Sequence, residues 1–499
     1  MLTDRACGVL LHPTSLPGAF GGGDFGSDAY RFIDWLVSAG QTYWQVLPMG
    51  EIGPGNSPYM SSSAFAGNIL LIDLAELAER GWLVRDDLIP HPQFKAERID
   101  FALLHPFRIE RLRRAAACFF DSGDAKMRRE YDEFCVKEKS WLGDYALFMT
   151  IAESENWREW NSWPSELAHR NNKALLRFEK TYSAEVGFWK FAQWCFARQW
   201  SKLKCYANER GVKMIGDVPI FVAYQSADVW SNQDLFELGE DGRPSVVAGV
   251  PPDYFSKTGQ LWGNPLYRWS AHEENGYEWW IARLRHAFQQ ADFVRIDHFR
   301  GFAAYWEVPA DAPNAISGNW ETGPGKKLFA AFEQAFPHLP IIAEDLGLIT
   351  PDVIELRDHF NLPGMRVLQF AFGDGDINYF LPHHYVANTV AYTGTHDNDT
   401  TLGWWNHASD HEKSFAMHYL ASDGQSINWG MMRALSKSVA NMVIFPMQDV
   451  LGLYSESRMN FPGKPDGNWE WRFTWNQLQN EQTQALLDMS LENGRIGAR

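Results

Sequence analysis

Cysteine is scarce. Five residues (Cys7, Cys118, Cys135, Cys195, Cys205) are widely spaced, odd in number and without a C-x-x-C pair. This argues against a disulfide framework or a cysteine zinc site and fits free thiols in a reducing compartment. Basic residues are in deficit, 45 against 62 acidic ones, and the net charge of −17 disfavours nucleic acid or an anionic membrane as partner. No apolar run approaches the ~18 residues of a membrane span. The opening Met1–Cys7 has no basic stretch ahead of an apolar one, so no secretory signal is expected and a cytoplasmic location is. Phosphate-loop, dinucleotide-glycine, His-Glu-x-x-His and Gly-x-Ser-x-Gly patterns are missing from strand-to-helix turns. Neither cofactor nor metal is therefore expected, and nothing calls for an obligate protein partner.

Tryptophan, by contrast, is abundant: 23 residues, with aromatics at 15% of the chain. An indole is a flat apolar platform with one polar handle, suited to the CH-bearing face of a sugar ring, but equally to a core. A neutral or cationic ligand suits this chain better than an anionic one.

Three stretches carry the chemistry. They are Phe293-Val294-Arg295-Ile296-Asp297-His298, Ile341-Ile342-Ala343-Glu344-Asp345-Leu346-Gly347 and Ala391-Tyr392-Thr393-Gly394-Thr395-His396-Asp397-Asn398-Asp399. Each is an apolar run breaking into acids, the signature of a buried parallel strand reaching its C-terminal end. Such ends ring the mouth of a barrel, where barrel enzymes build their sites. Carboxylates facing one pocket are what glycosidic cleavage requires.

The rest of the chain supplies the scaffold. Strand candidates at 8–11, 43–47, 212–217, 293–296, 341–344, 366–370, 389–393 and 441–445 alternate with helical spacing at 29–39, 278–290, 327–335, 351–358 and 427–439. The sum is an α/β fold, a (β/α)8 TIM barrel forming one catalytic domain over 1–499. The interval between strands 2 and 3 is too long for a crossover. It has helical stretches at 107–119, 140–151 and 185–210, and reads as an inserted, mainly helical subdomain at about 60–205. Between strands 3 and 4, about 222–290 reads as an irregular, pocket-forming insertion with a lid loop at 248–265. Helical spacing near the end leaves no room for a C-terminal β-sandwich.

Arg295 and Asp297, two apart on a strand, share a face, and charge pairing between them suits a nucleophile. The alternative is a buried pair bracing the barrel. Glu344, after three apolar residues, has the environment of a general acid, or else is an exposed strand-end acid. Asp345 points the other way. Asp397 suits stabilisation of an oxocarbenium-like transition state, with His396 on a sugar hydroxyl, and both reach one pocket only if the backbone turns there. The Asp/Asn/Asp run also fits a turn or a metal site, though not a twelve-residue calcium loop. Asp217, at the end of strand 3, is a further candidate.

Several segments resemble the amylomaltases, the 4-α-glucanotransferases or disproportionating enzymes. These are the three carboxylate strands, Gly216-Asp217-Val218-Pro219-Ile220-Phe221-Val222, the run from Ala248 to Pro265, Gly55-Asn56-Ser57-Pro58-Tyr59, and Arg458-Met459-Asn460-Phe461-Pro462-Gly463. The resemblance spans nearly the whole chain in order. It implies an α-amylase-related barrel and a retaining double displacement on α-1,4-glucan donors, with glucose or maltooligosaccharide acceptors. It further implies Asp297 as nucleophile, Glu344 as acid/base and Asp397 as transition-state stabiliser. Tyr59, Ser57, Asp217, Arg295 and His396 would hold the sugar at the cleavage point, and Asp253, Phe255, Trp262 and Asn264 would lie on the acceptor-side loop. An α-glucan hydrolase or a non-catalytic glucan-binding protein are the alternatives.

Overall fold

The computed structural model describes residues 4–121, 124–252 and 256–496. Eight parallel strands form its centre: β1 (Ala6–Leu10), β2 (Tyr43–Gln45), β3 (Lys213–Pro219), β4 (Phe293–Asp297), β5 (Ile341–Ala343), β6 (Gly364–Val367), β7 (Thr389–Tyr392) and β8 (Met442–Pro446). Their order is β6-β7-β8-β1-β2-β3-β4-β5. Strands enclosed on both faces must be apolar throughout, and β1 and β8 are buried at every position.

Closure between β5 and β6 uses little backbone. Ala343 N–H donates to the Pro363 carbonyl at 2.9 Å, and the Asp345 carboxylate takes over from there, accepting Met365 N–H at 2.6 Å. Arg357 and Arg366 neutralise that buried acid. A Cβ on Gly364 would stand 2.5 Å from Asp345 Oδ2, so only glycine lets β6 come this close. The strand begins there rather than at 366, and Leu368–Phe370, expected as strand, instead wind into a 3-10 turn.

Register places the chemistry. Paired in parallel, β3 and β4 set Asp217 beside Arg295 and Pro219 beside Asp297. Neighbours in register, and residues two apart on one strand, share a face, so Asp217, Arg295 and Asp297 project together.

Helices Phe101–Asp121, Ala125–Lys137, Leu142–Ser154, Asn172–Thr181 and Ser183–Glu209 lie between β2 and β3. Within 222–290, expected as irregular, Val246–Val250 and Gln260–Pro265 are strands. They join Ala304–Pro309 and Asn319–Thr322 in a four-stranded antiparallel sheet. Among the described residues no helix is long and apolar enough to cross a membrane, and none of the five cysteines is in a disulfide.

Candidate active site

Asp217, Arg295 and Asp297 form the floor of the site at the C-terminal ends of β3 and β4. The Arg295 guanidinium forks between the two acids, donating to Asp217 Oδ2 and to Asp297 Oδ1, each at 2.6 Å. Burial opposes the arginine's charge, but Asp217 and Asp297 together hold it well above the ordinary guanidinium value. Burial also pushes the Asp217 carboxyl up, against the pull of Arg295. Exposure separates the two acids: the Asp217 side chain is 0% exposed and that of Asp297 28%. One anchors the arginine and the other faces the cleft.

Glu344 follows β5 and is tied to the same floor through one peptide. Its Oε2 accepts the N–H of His298, the residue after Asp297, at 2.8 Å, while Oε1 accepts Leu346 N–H at 2.9 Å. His298 aims its N–H this way because its backbone is left-handed, with φ of 53°. Burial, then the nearby Asp297 charge, pushes the Glu344 carboxyl up to about 8, with Arg295 and the two backbone N–H groups pulling it down. Asp345 does point away, into the barrel seam.

After β7 the backbone turns at His396 and Asp397, so both side chains reach the cleft. Asp397, 45% exposed, accepts Asn460 Nδ2–H at 2.6 Å, and Arg458 ties down its carbonyl. The following residues belong to the turn: Asn398 Oδ1 accepts Thr395 N–H at 2.9 Å, and Asp399 takes Ser455 Oγ–H at 2.7 Å. Among the described residues no cluster of three His, Cys, Asp or Glu side chains could hold a metal.

Tyr59 joins the two halves. Its hydroxyl donates to Asp217 Oδ2 at 2.7 Å and lies 2.9 Å from His396 Nε2. A phenol has one proton, so the proton in the second bond comes from His396, whose Nε2–H is the donor. The rings stack at 5.2 Å and 13°, with Trp469 against both at 5.8 and 5.9 Å. Ser57 acts one step back, its hydroxyl accepting Tyr59 N–H at 3.2 Å to cap the turn that carries the tyrosine.

The acceptor-side residues divide. Trp262 is half-buried on the small sheet and meets the His298 ring edge-on at 4.8 Å. Asn264 is buried, and its amide donates to the Val222 carbonyl at 2.9 Å, holding the loop after β3. Asp253 and Phe255 lie outside the described residues. Sequence reasoning passed over His298, Trp469 and the role of Asn460. Asn460 stood in the Arg458–Gly463 segment, and its position beside Asp397 was the missing step.

Comparison with known proteins points one way. The family model described as 4-alpha-glucanotransferase, glycoside hydrolase family 77, matches residues 11–478. A Thermus thermophilus 4-alpha-glucanotransferase is 50% identical, covering 99% of each chain. One from Synechocystis is 47% identical over 96% of this chain and 95% of its own. The solved Streptococcus agalactiae amylomaltase, in complex with acarbose, superposes with a TM-score of 0.96 at 38% identity, covering 99% of this chain and 100% of that one.

Proposed function

The chain belongs to the 4-alpha-glucanotransferase family, and from that premise we propose how its acids divide the reaction. Asp297 attacks the anomeric carbon of an α-1,4-glucan while Glu344 gives its proton to the departing glycosidic oxygen. The 4-hydroxyl of glucose or a maltooligosaccharide then opens the glucosyl ester, with Glu344 taking that proton, so configuration is retained. Asp397, braced by Asn460, faces the positive charge that develops on the ring in both steps. Asp217 Oδ1, buried and without a partner among the described residues, accepts a sugar hydroxyl, and His396, Tyr59 and Arg295 complete the grip.

One observation carries this reading: a single peptide N–H, that of His298, links the arginine-held Asp297 to a Glu344 whose carboxyl is pushed up to about 8. A charge-paired acid and a proton-bearing acid side by side are the two partners a retaining displacement needs. Transfer outruns hydrolysis only when the site excludes water and orients the acceptor, an orientation worth about 7–11 kcal/mol. We assign that task to the 248–265 loop, with Trp262 its described aromatic. Residues of about 60–205 form, in this proposal, a helical subdomain inserted into the single catalytic domain, and 222–290 the pocket-forming insertion. Free thiols in all five positions suit a cytoplasmic location.

Incubation with pure maltotriose, following glucose, the oligosaccharide ladder and reducing ends together, tests the reading. Glucose with longer maltodextrins at constant reducing ends is the expected result. Rising reducing ends without longer products would make the protein a hydrolase, and undiminished transfer by Asp297→Asn would remove the proposed nucleophile.

A further inference from the structure

Glu51 is a buried acid outside the cleft. Glu51, in the loop after β2, has only 8% of its surface exposed, and both its oxygens are used. Oε2 accepts Ser62 Oγ–H at 2.9 Å and Oε1 the Tyr145 hydroxyl at 2.5 Å. Ser62 belongs to the same loop as Tyr59, whereas the fully buried Tyr145 belongs to helix Leu142–Ser154. Behind it, Gln193 on helix Ser183–Glu209 donates to the Tyr145 oxygen at 3.3 Å and clasps Gly67 on both sides, accepting its N–H at 2.7 Å and donating to its carbonyl at 2.9 Å.

Between Glu51 and Ser62 the chain doubles back on itself. Gly53 N–H donates to the Ser57 carbonyl at 2.9 Å. A Cβ on Gly53 would overlap the Met60 carbonyl oxygen at 1.8 Å, and one on Gly50 would stand 2.6 Å from Ser61 Oγ. The two limbs are therefore packed tightly against each other, with Tyr59 on the far limb. Glu51 is the charge-bearing pin between those limbs and the helices.

We propose that Glu51 is a positioning residue for glucan transfer, acting through the Ser57–Ser62 limb to hold the Tyr59 hydroxyl between Asp217 and His396. The inference rests on the reading of Tyr59 as part of the donor-sugar grip. An apolar residue would fill the space without the desolvation of a carboxylate, which is strong enough to push Glu51 up to about 7 against its two hydroxyl donors. The carboxylate contributes direction: two fixed acceptors set the distance from helix to loop, as packing alone does not.

A double-mutant cycle in kcat/KM on maltotriose, with melting temperatures alongside, tests it. Losing a hydrogen bond to a charged group is typically felt as about tenfold or more. Glu51→Ala should lower kcat/KM about tenfold when Tyr59 is present and less than about twofold in the Tyr59→Phe background, with Glu51→Gln in between. Tyr145→Phe, which removes one oxygen, should reproduce the pattern and replaces Glu51→Ala should that variant fail to fold. Equal losses in both tyrosine backgrounds, or no loss with Tyr59 present, would overturn the inference. Tyr59→Phe alone transferring at the wild-type rate would instead strike the underlying reading of Tyr59, and the inference with it.

Discussion

A carboxyl held protonated at neutral pH, as the proposed general acid Glu344 is, taxes the fold, and Glu344→Gln exposes how much. Burial and Asp297 raise this carboxyl from 4.5 to about 8. A raised carboxyl contributes stability in full below 4.5 and loses it progressively as pH climbs to 8, because the unfolded chain ionises first. Between pH 5 and pH 9 that shift, screened by the solvent of an open cleft, is worth about 2–3 kcal/mol. Glutamine carries no such pH term. It has one acceptor where Glu344 uses two, for His298 and Leu346 N–H, and so loses about 1–2 kcal/mol at every pH. At 499 residues the unfolding entropy is about 1 kcal/mol per kelvin, so the swing reads as about 2–3 °C. Melting both proteins from pH 5 to pH 9 should show Glu344→Gln gaining on the wild type with rising pH. A constant gap, or a wild type that gains with pH, would refute the burial of an ionisable acid at this position.

The same carboxyl predicts an alkaline limb: kcat/KM for transfer should fall above about pH 8, tenfold per unit, as Glu344 loses the proton it donates in the proposed mechanism. Stopped assays across pH 6–10 check this, and a flat profile to pH 10 would count against Glu344 as the acid. Arg295→Leu leaves the 0%-exposed Asp217 without its cation and should cost about 3–5 kcal/mol in urea unfolding, far beyond an exposed ion pair. Trp262→Ala should raise the ratio of reducing-end release to transfer on maltotriose, and an unchanged ratio would free the small sheet from any part in excluding water.

The barrel was legible because enclosure on both faces demands apolar strands: β1, β5 and β8 are apolar throughout, and β4 and β7 are mostly apolar, β4 broken only by Arg295 and Asp297. The antiparallel sheet was not. Asn319–Thr322 is exposed at all four positions and Gln260–Pro265 at three of six, so neither carries an apolar signal, and the sheet is joined by the sequence-distant pairing of Val246–Val250 with Ala304–Pro309. Of the site, the acids and Arg295 could be read because strand periodicity assigns a face. His298 and Glu51 could not. The first depends on a left-handed backbone that only the fold imposes, and the second meets a tyrosine 94 positions away. His396 and Asp397 stood between: adjacency argued against a shared pocket until the turn resolved it.

Glu344 and Asp345 are consecutive, yet one serves the cleft and the other fastens β5 to β6. The proposed proton donor and the latch thus hang on a single stretch of backbone. Loosening the latch would misplace the donor long before the remaining seven strand contacts let go, so heat should silence this enzyme while its circular dichroism still reads native. Anyone seeking a hardier variant should therefore reinforce the Asp345–Arg357–Arg366 fastening and leave the large helical core alone.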